Sequence, residues 1–303
     1  MRDLVRGYAA ATTGGIPTAG ERRRLAAELA AFGGALVRFE QLRQALADAS
    51  IPAPVRRAIA ADLLEGRAGA ECVALAAFAV RYERPGELSP TLAALVALAE
   101  EAAGAAETPG KSPVEPPASR AAARERLQGY AERVFEGLAE PADVDRVGDE
   151  LFAISRLLDG AERLRAVLAD ADVPYAERAA VAEDLFGARV SPSTMRMTRY
   201  VLRSGRTRDL VGTFEWLVEL TARERGLRLA EVRSALPLAP EESERLAAAL
   251  GRLVGRSVSV RVVVDESVLG GLLVAVGDLV IDGTLRHRFE QLRESLAQPV
   301  GAS

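Results

Sequence analysis

The chain repeats itself at an offset of 122 residues, and no gap is needed to see it. Gly7-Tyr8-Ala9 recurs as Gly129-Tyr130-Ala131, and Glu28-Leu29 as Glu150-Leu151. Leu42-Arg43 recurs as Leu164-Arg165, and Leu46-Ala47-Asp48-Ala49 as Leu168-Ala169-Asp170-Ala171. Pro52 pairs with Pro174, Asp62-Leu63 with Asp184-Leu185, and Arg84 and Leu88 with Arg206 and Leu210. In an Ala-rich chain, matched leucines and alanines weigh little; the Gly-Tyr-Ala, Asp and Pro matches weigh more. The spacing is far too long for a solenoid unit and points to duplication of a whole domain. Any fold of this chain must therefore supply two like cores.

The repeated blocks read as helical. Leu25, Leu29, Phe32, Leu36 and Phe39 sit at helical spacing, as do Val55, Ile59 and Leu63, then Leu75, Phe78 and Tyr82. In the second copy Leu210, Phe214, Leu217 and Thr221 line one stripe. The chain is 49% hydrophobic but only 5% aromatic, with Ala dominant, which suits helices. Thr12-Thr13-Gly14-Gly15-Ile16-Pro17 is expected to break the first helix of the first copy, and Pro52 and Pro85-Gly86 mark loops. Residues 104–119, GAAETPGKSPVEPPAS, hold four prolines with Gly, Ser and Thr and read as a linker. The expected organisation is a first helical domain at 1–103, the linker at 104–119, a second helical domain at 120–226 and a smaller α/β domain at 227–298.

The α/β reading comes from a change of period. Leu229 to Leu236 reads as a strand, Pro237 to Pro240 as a turn, and Leu246, Leu250 and Leu253 as a helix. Val258, Val260, Val262 and Val264 alternate with other residues, the period of a strand with one buried face. Strand–helix–strand favours a parallel pair with a right-handed crossover. Gly270-Gly271 permits a sharp backbone excursion. Leu272, Val274 and Val276 form one face of the next strand, Gly277-Asp278 suits a hairpin turn, and Leu279 to Ile281 returns antiparallel. Leu285, Phe289, Leu292 and Leu296 then mark an amphipathic helix capped by Asp282 or Thr284. The expected fold is mainly α: two tandem six-helix-type bundles followed by a β-α-β-β-α unit.

Chemistry is scarce in this sequence. His287 is the sole histidine, flanked by Arg286 and Arg288, and reads as a surface side chain; no triad can be built around it. Gly270-Gly271 feeds an apolar strand with no Lys-Ser/Thr after it, so it is a bend and not a phosphate cradle. Asp265 and Asp282 sit at strand ends beside turn residues, and capping explains them without catalysis. Cys72 is the single cysteine, so an internal disulfide and a cysteine-held zinc are both excluded, and it reads as a small buried residue. Trp216 reads as core. Tyr8 and Tyr130 read first as helix packing and then as interface residues; Arg203 and Arg206, repeating Arg81 and Arg84, read as solvated charge or as partners of Asp209. A net charge of −4 leaves no basic footprint for nucleic acid. No secretory segment and no membrane span is read from the chain, and the expectation is a soluble cytoplasmic protein. No cofactor and no metal is expected.

The segment VVVDESVLGGLLVAVGDLVIDGTLRHRFEQL resembles the C-terminal signature of the F-type ATP synthase delta subunit, the oligomycin-sensitivity-conferring protein of mitochondria. That signature runs strand, Asp, Gly-Gly, apolar hairpin, Asp-Gly-Ser/Thr, helix; here its elements are Asp265, Gly270, Gly271, Asp282 and Gly283. AEVRSALPLAPEESERLAAAL resembles the preceding family segment, GYAERVFEGL the family's first helix, and RSGRTRDLVGTFEWLVELTARERG its last bundle helices. The likeness covers Arg124 to Leu296, and the extra first copy is similar to enlarged actinobacterial forms. The resemblance implies a non-catalytic connector between the alpha/beta catalytic head and the b subunits of the peripheral stalk. It implies that the bundle at 120–226 holds N-terminal segments of the alpha subunits and that the C-terminal domain meets b. Tyr130, Arg203, Arg206, Phe289, Leu292 and Leu296 are the candidate partner-binding residues. It further implies a peripheral protein on the cytoplasmic face of the plasma membrane, held there only through the complex. The runner-up is a stand-alone helical adaptor; an enzyme of scattered carboxylates is a third class.

Overall fold

The computed structural model describes residues 1–282 apart from 49, 108–116, 118, 171, 204–208, 226–227, 255–257, 266, 269 and 277–278. It divides into two compact units, Met1–Leu217 and Val218–Ser303. Thirteen α-helices and a four-stranded sheet are found among the described residues.

The first unit holds two sets of helices. The first set is α1 (Asp3–Gly15), α2 (Ala19–Arg38), α3 (Glu40–Ala47), α4 (Ala53–Leu64), α5 (Ala70–Tyr82) and α6 (Leu88–Glu107). The second is α7 (Arg120–Glu136), α8 (Pro141–Gly160), α9 (Glu162–Ala169), α10 (Tyr175–Phe186), α11 (Pro192–Arg203) and α12 (Leu210–Glu224), whose end passes into the second unit. From α2/α8 to α6/α12, every helix of one set starts 122 residues from its counterpart. The local reasons recur too. Thr18 and Glu21 form a reciprocal capping box at the start of α2, and Glu140 and Asp143 do the same for α8. Pro52 and Pro174 stand directly before α4 and α10, where a missing N–H does no harm.

The core of the first set forms along the expected stripe of α2. Leu25, Leu29, Phe32 and Leu36 are buried against Leu88, Leu92, Leu95 and Ala99 of α6. Each such leucine removed from water contributes roughly 1.5–3 kcal/mol. Phe39 departs from the stripe: α2 ends at Arg38, the chain turns there, and the ring stays 56% exposed. In α4 Arg56, Ala60 and Leu64 are buried; of the expected Val55–Ile59–Leu63, Ile59 and Leu63 pack against the core and Val55 is exposed. Arg56 is buried beside them, its Nη1 donating to the Asp48 carbonyl at 2.9 Å. Trp216, expected in the core, is half-buried. Leu210, Phe214, Leu217 and Thr221 are all buried, as their spacing predicts.

The expected break falls at the end of the Thr12–Pro17 segment and not at its start. α1 runs through Thr12-Thr13 to Gly15. Thr12 donates to the Tyr8 carbonyl at 3.0 Å and Thr13 to that of Ala9 at 2.9 Å, so both buried hydroxyls are satisfied inside the helix. The chain leaves the helix at Ile16, the residue before Pro17, where the helical region is sterically disfavoured.

The second unit has the strand order β2-β1-β3-β4. β1 (Arg228–Ser234) lies parallel to β2 (Val258–Val264), with α13 (Pro240–Val254) between them in sequence. β3 (Leu272–Val276) runs antiparallel to β1, and β4 (Leu279–Asp282) antiparallel to β3. Ala230, Val232, Leu250, Val258, Val274 and Val276 form its core, with Leu246, Leu272 and Ile281 packed against them. β1 stops at Ser234, short of the expected Leu236, which is 72% exposed. β2 is an edge strand, so burial falls along it and Val264 is exposed. Gly270 and Gly271 have φ of 65° and 80°, the left-handed excursion their sequence implies. The turn at 277–278 and the C-terminal helix lie outside the described residues.

Candidate partner-binding surfaces

No group of three or more metal-ligating side chains is found among the described residues. The hollow bordered by Gly15, Glu21, Arg24, Glu28 and Gly69 has its charges engaged: Arg24 meets Glu28 at 3.6 Å, and Glu28 accepts the Gly69 N–H at 3.0 Å. Cys72 is fully buried, and burial, with the nearby Glu28 charge, pushes its thiol up to about 12. A thiol held so far from ionisation is no nucleophile at neutral pH.

The two tyrosines of the repeat sit in matching internal cages. Tyr8 stacks on Phe78 with ring centres 3.8 Å apart, and Tyr130 stacks on Tyr200 at 3.8 Å. Phe78 and Tyr200 are themselves repeat equivalents. Tyr130 donates from its hydroxyl to the Arg196 carbonyl at 3.4 Å, and burial raises its pKa despite the Arg196 charge. Arg203 lies over the Tyr175 ring at 5.8 Å, so Tyr130 and Arg203 belong to one tyrosine–arginine cluster. Asp209 pairs with Arg120 at 3.3 Å and not with Arg203. Asp265 accepts from the Ser267 N–H at 2.9 Å and its hydroxyl at 2.6 Å; these bonds, with Arg233 at 3.7 Å, hold its carboxyl below the usual range. That is a turn, as expected. Asp282 ends β4 opposite Leu273. Arg206, Gly283, His287, Phe289, Leu292 and Leu296 lie outside the described residues.

Two further devices are duplicated. Glu28 of α2 reaches the start of α5, and its counterpart Glu150 reaches the start of α11. There Glu150 accepts from Ser191 N at 2.8 Å, Ser191 Oγ at 2.7 Å and Thr194 Oγ1 at 2.6 Å. Burial opposes its ionisation, but the Thr194 and Ser191 bonds outweigh it and hold the carboxyl below its ordinary value. Arg178 repeats Arg56, with Nη1 on the Leu168 carbonyl at 3.2 Å and Nε on that of Val173 at 3.1 Å.

The sequence reading missed the seam where α1 crosses α7. A Cβ built on Gly7 would overlap the carbonyl of Arg126, and one built on Gly129 would overlap that of Leu4. Arg126 donates to Asp3 through Nε at 2.8 Å, Arg2 meets Glu125 at 3.5 Å, and Arg133 meets Glu71 at 2.5 Å. Tyr8 donates from its hydroxyl to Glu136, and Arg57 stands 3.6 Å from the same carboxylate. One signal was present: a mid-helix glycine costs about 1 kcal/mol against alanine, and this one is kept in both copies.

The surfaces differ between the sets. Val37, Phe39 and Val55 are exposed in the first, Val37 at 80%. Their counterparts are Asp159, Ala161 and Glu177. The second set exposes Leu157 and Val167 where the first has Ala35 and Ala45.

Comparison with known proteins points one way. The family model described as ATP synthase delta (OSCP) subunit matches residues 127–296. The ATP synthase subunit delta of Salinispora arenicola is 32% identical over 278 residues, covering 89% of this chain and 87% of the relative. That of Parafrankia sp. is 32% identical over 281 residues, 92% of this chain and 88% of the relative. The subunit delta of Brevibacillus brevis is 31% identical over 161 residues, which is 92% of that relative but 53% of this chain.

Proposed function

The chain belongs to the ATP synthase delta (OSCP) subunit family, and we infer from this membership that it is a non-catalytic connector in the stator of the enzyme. The observation that carries the inference is the family match from residue 127 to 296, which spans most of the second helical set and the sheet unit together. A stand-alone adaptor has no support in a chain matched over 89% of its length by a subunit delta. A stator subunit resists torque, and torque is resisted by wide interfaces and stiff joints. Buried tyrosines, an unreactive cysteine and engaged carboxylates are consistent with that task. No described helix is long and apolar enough to cross a membrane, which agrees with a place at the periphery of the membrane complex.

Within this reading the two helical sets are two six-helix bundles. The second holds N-terminal helices of the alpha subunits in a groove between its own helices, the helix-in-groove mode. The C-terminal unit presents the surface for b, with Phe289, Leu292 and Leu296 on its last helix, and the head contact extends to the beta subunits. The complex stands on the cytoplasmic face of the plasma membrane. The first set extends the stalk contact; support comes from its exposed Val37, Phe39 and Val55, whose counterparts in the second set are Asp159, Ala161 and Glu177.

Affinity capture from solubilised membranes tests this, with the full chain as bait and a chain lacking 1–103 beside it. Recovery of alpha, beta and b by the full chain is expected, with b reduced for the shortened one. Equal recovery by both removes the role given to the first set. Recovery of neither head nor stalk by the full chain overturns the connector reading.

A further inference from the structure

The seam between α1 and α7 has an internal symmetry. Gly7 lies on the backbone of Arg126, and Gly129 lies on the backbone of Leu4. Leu4 and Arg126 are equivalents in the repeat, as are Gly7 and Gly129. Each set thus offers the other the same patch, which is the isologous contact of a two-fold dimer. Here the dimer is closed within one chain. The contact reaches beyond these two helices: Arg196 of α11 donates to the Ala11 carbonyl of α1 at 3.1 Å, and Arg133 of α7 meets Glu71 of α5.

Chemistry makes this pseudo-symmetric contact specific to one pairing. Arg126 is only 4% exposed, and its acid, Asp3, comes from the other set. A buried cation separated from its acid is left uncompensated, so pulling the sets apart is opposed by more than lost packing. The glycines let the two backbones meet directly, and a joint of backbone on backbone has little side-chain slack.

We propose that the α1–α7 seam is an intramolecular docking interface that locks the two helical sets into one rigid body. The partner that fits α7 is a helix with an acid, a small residue four positions on and an aromatic next to it: Asp3, Gly7 and Tyr8. In the connector role, on which this last step rests, force passes between the sets through the seam.

The test is a distance measurement by double electron–electron resonance on the full chain. Spin labels go on Asp62→Cys and Asp184→Cys, two exposed and equivalent positions of α4 and α10. Cys72 is buried and stays unlabelled. One narrow distance distribution is expected, and it should not change when roughly twenty Gly and Ser residues are inserted between 108 and 116. Gly129→Leu should broaden or shift it, as should the milder pair Asp3→Asn with Glu71→Gln, which is the variant to read if Gly129→Leu loses helix content by circular dichroism. A broad distribution in the parent, a width that tracks linker length, or a distribution unmoved in a folded seam variant overturns the proposal. The measurement uses the isolated chain, so its failure leaves the family assignment standing, and a failed membrane capture leaves the seam standing.

Discussion

The two helical sets share their interiors and differ on their surfaces. Tyr8 on Phe78 matches Tyr130 on Tyr200, Glu28 matches Glu150, and Arg56 matches Arg178, each pair in the same structural role. Outside, Val37, Phe39 and Val55 stand against Asp159, Ala161 and Glu177. Close packing is intolerant of change in volume or polarity, whereas an exposed position is nearly free of such limits. Retained interiors therefore report a common fold. The family model matches residues 127–296, and the relatives from Salinispora arenicola and Parafrankia sp. match the first set as well.

The comparison is broken hardest at the seam. Gly129→Leu places a side chain where the Leu4 carbonyl already is, and Gly7→Leu does the same against Arg126. We expect each to destabilise the first unit by about 3 kcal/mol or more, read by urea denaturation. If the two costs differ severalfold, the two-fold character of the seam is wrong. Next come the paired cores. Leu29 and Leu151 are both fully buried equivalents, and Leu→Ala at either should cost about 2–5 kcal/mol. Near-equal values sharpen the claim of one interior built twice; a negligible cost in the first set would mean that its core has loosened.

A smaller effect separates the capping carboxylates. Glu150 accepts four hydrogen bonds, from Ser191 N, Ser191 Oγ, Thr194 Oγ1 and Arg146 Nε, and has a lowered pKa, so its bonds favour the folded state above its ordinary value of 4.5. That stability is lost as pH falls through the lower folded value, because the protonated carboxyl no longer serves as a full acceptor. Glu150→Gln should cost about 1–2 kcal/mol at neutral pH and flatten the acid limb of the stability curve. A curve with the parent's acid slope would show that another group controls it. The smallest effect belongs to the surface: Phe39→Ser should move stability by less than about 0.5 kcal/mol while lowering recovery of b in the membrane capture. A large stability loss would place Phe39 in the fold and remove it from the partner surface.

Much of the architecture was legible from residues alone. The stripe Leu25–Leu29–Phe32–Leu36 marked the real core of α2, and the period change after Arg228 marked the sheet unit with its parallel pair and antiparallel return. The misreadings share a cause. Val55 belongs to the helical stripe read from the sequence yet is exposed, because hydropathy cannot foresee that Arg56 beside it is buried with its Nη1 on the Asp48 carbonyl. The Thr-Thr-Gly-Gly run reads as a helix break, yet both threonine hydroxyls bond to carbonyls four residues back within α1. Asp209 was offered to Arg203, but Arg120 from the start of α7 lies nearer in space than in sequence.

By itself the sequence determined the duplication, the helical and strand periods, the positive-φ bend at Gly270-Gly271, the absence of cysteine chemistry and the family. These follow from local propensity and from the one-dimensional pattern of apolar residues, which every turn of a helix or pleat of a strand samples directly. Only the tertiary structure decided that Gly7 and Gly129 are contact points and that Asp3 belongs to Arg126. Those facts depend on which helix from one copy crosses which helix from the other. That choice is made by the fit of two whole surfaces over 100 residues apart in the chain, and no local period records it.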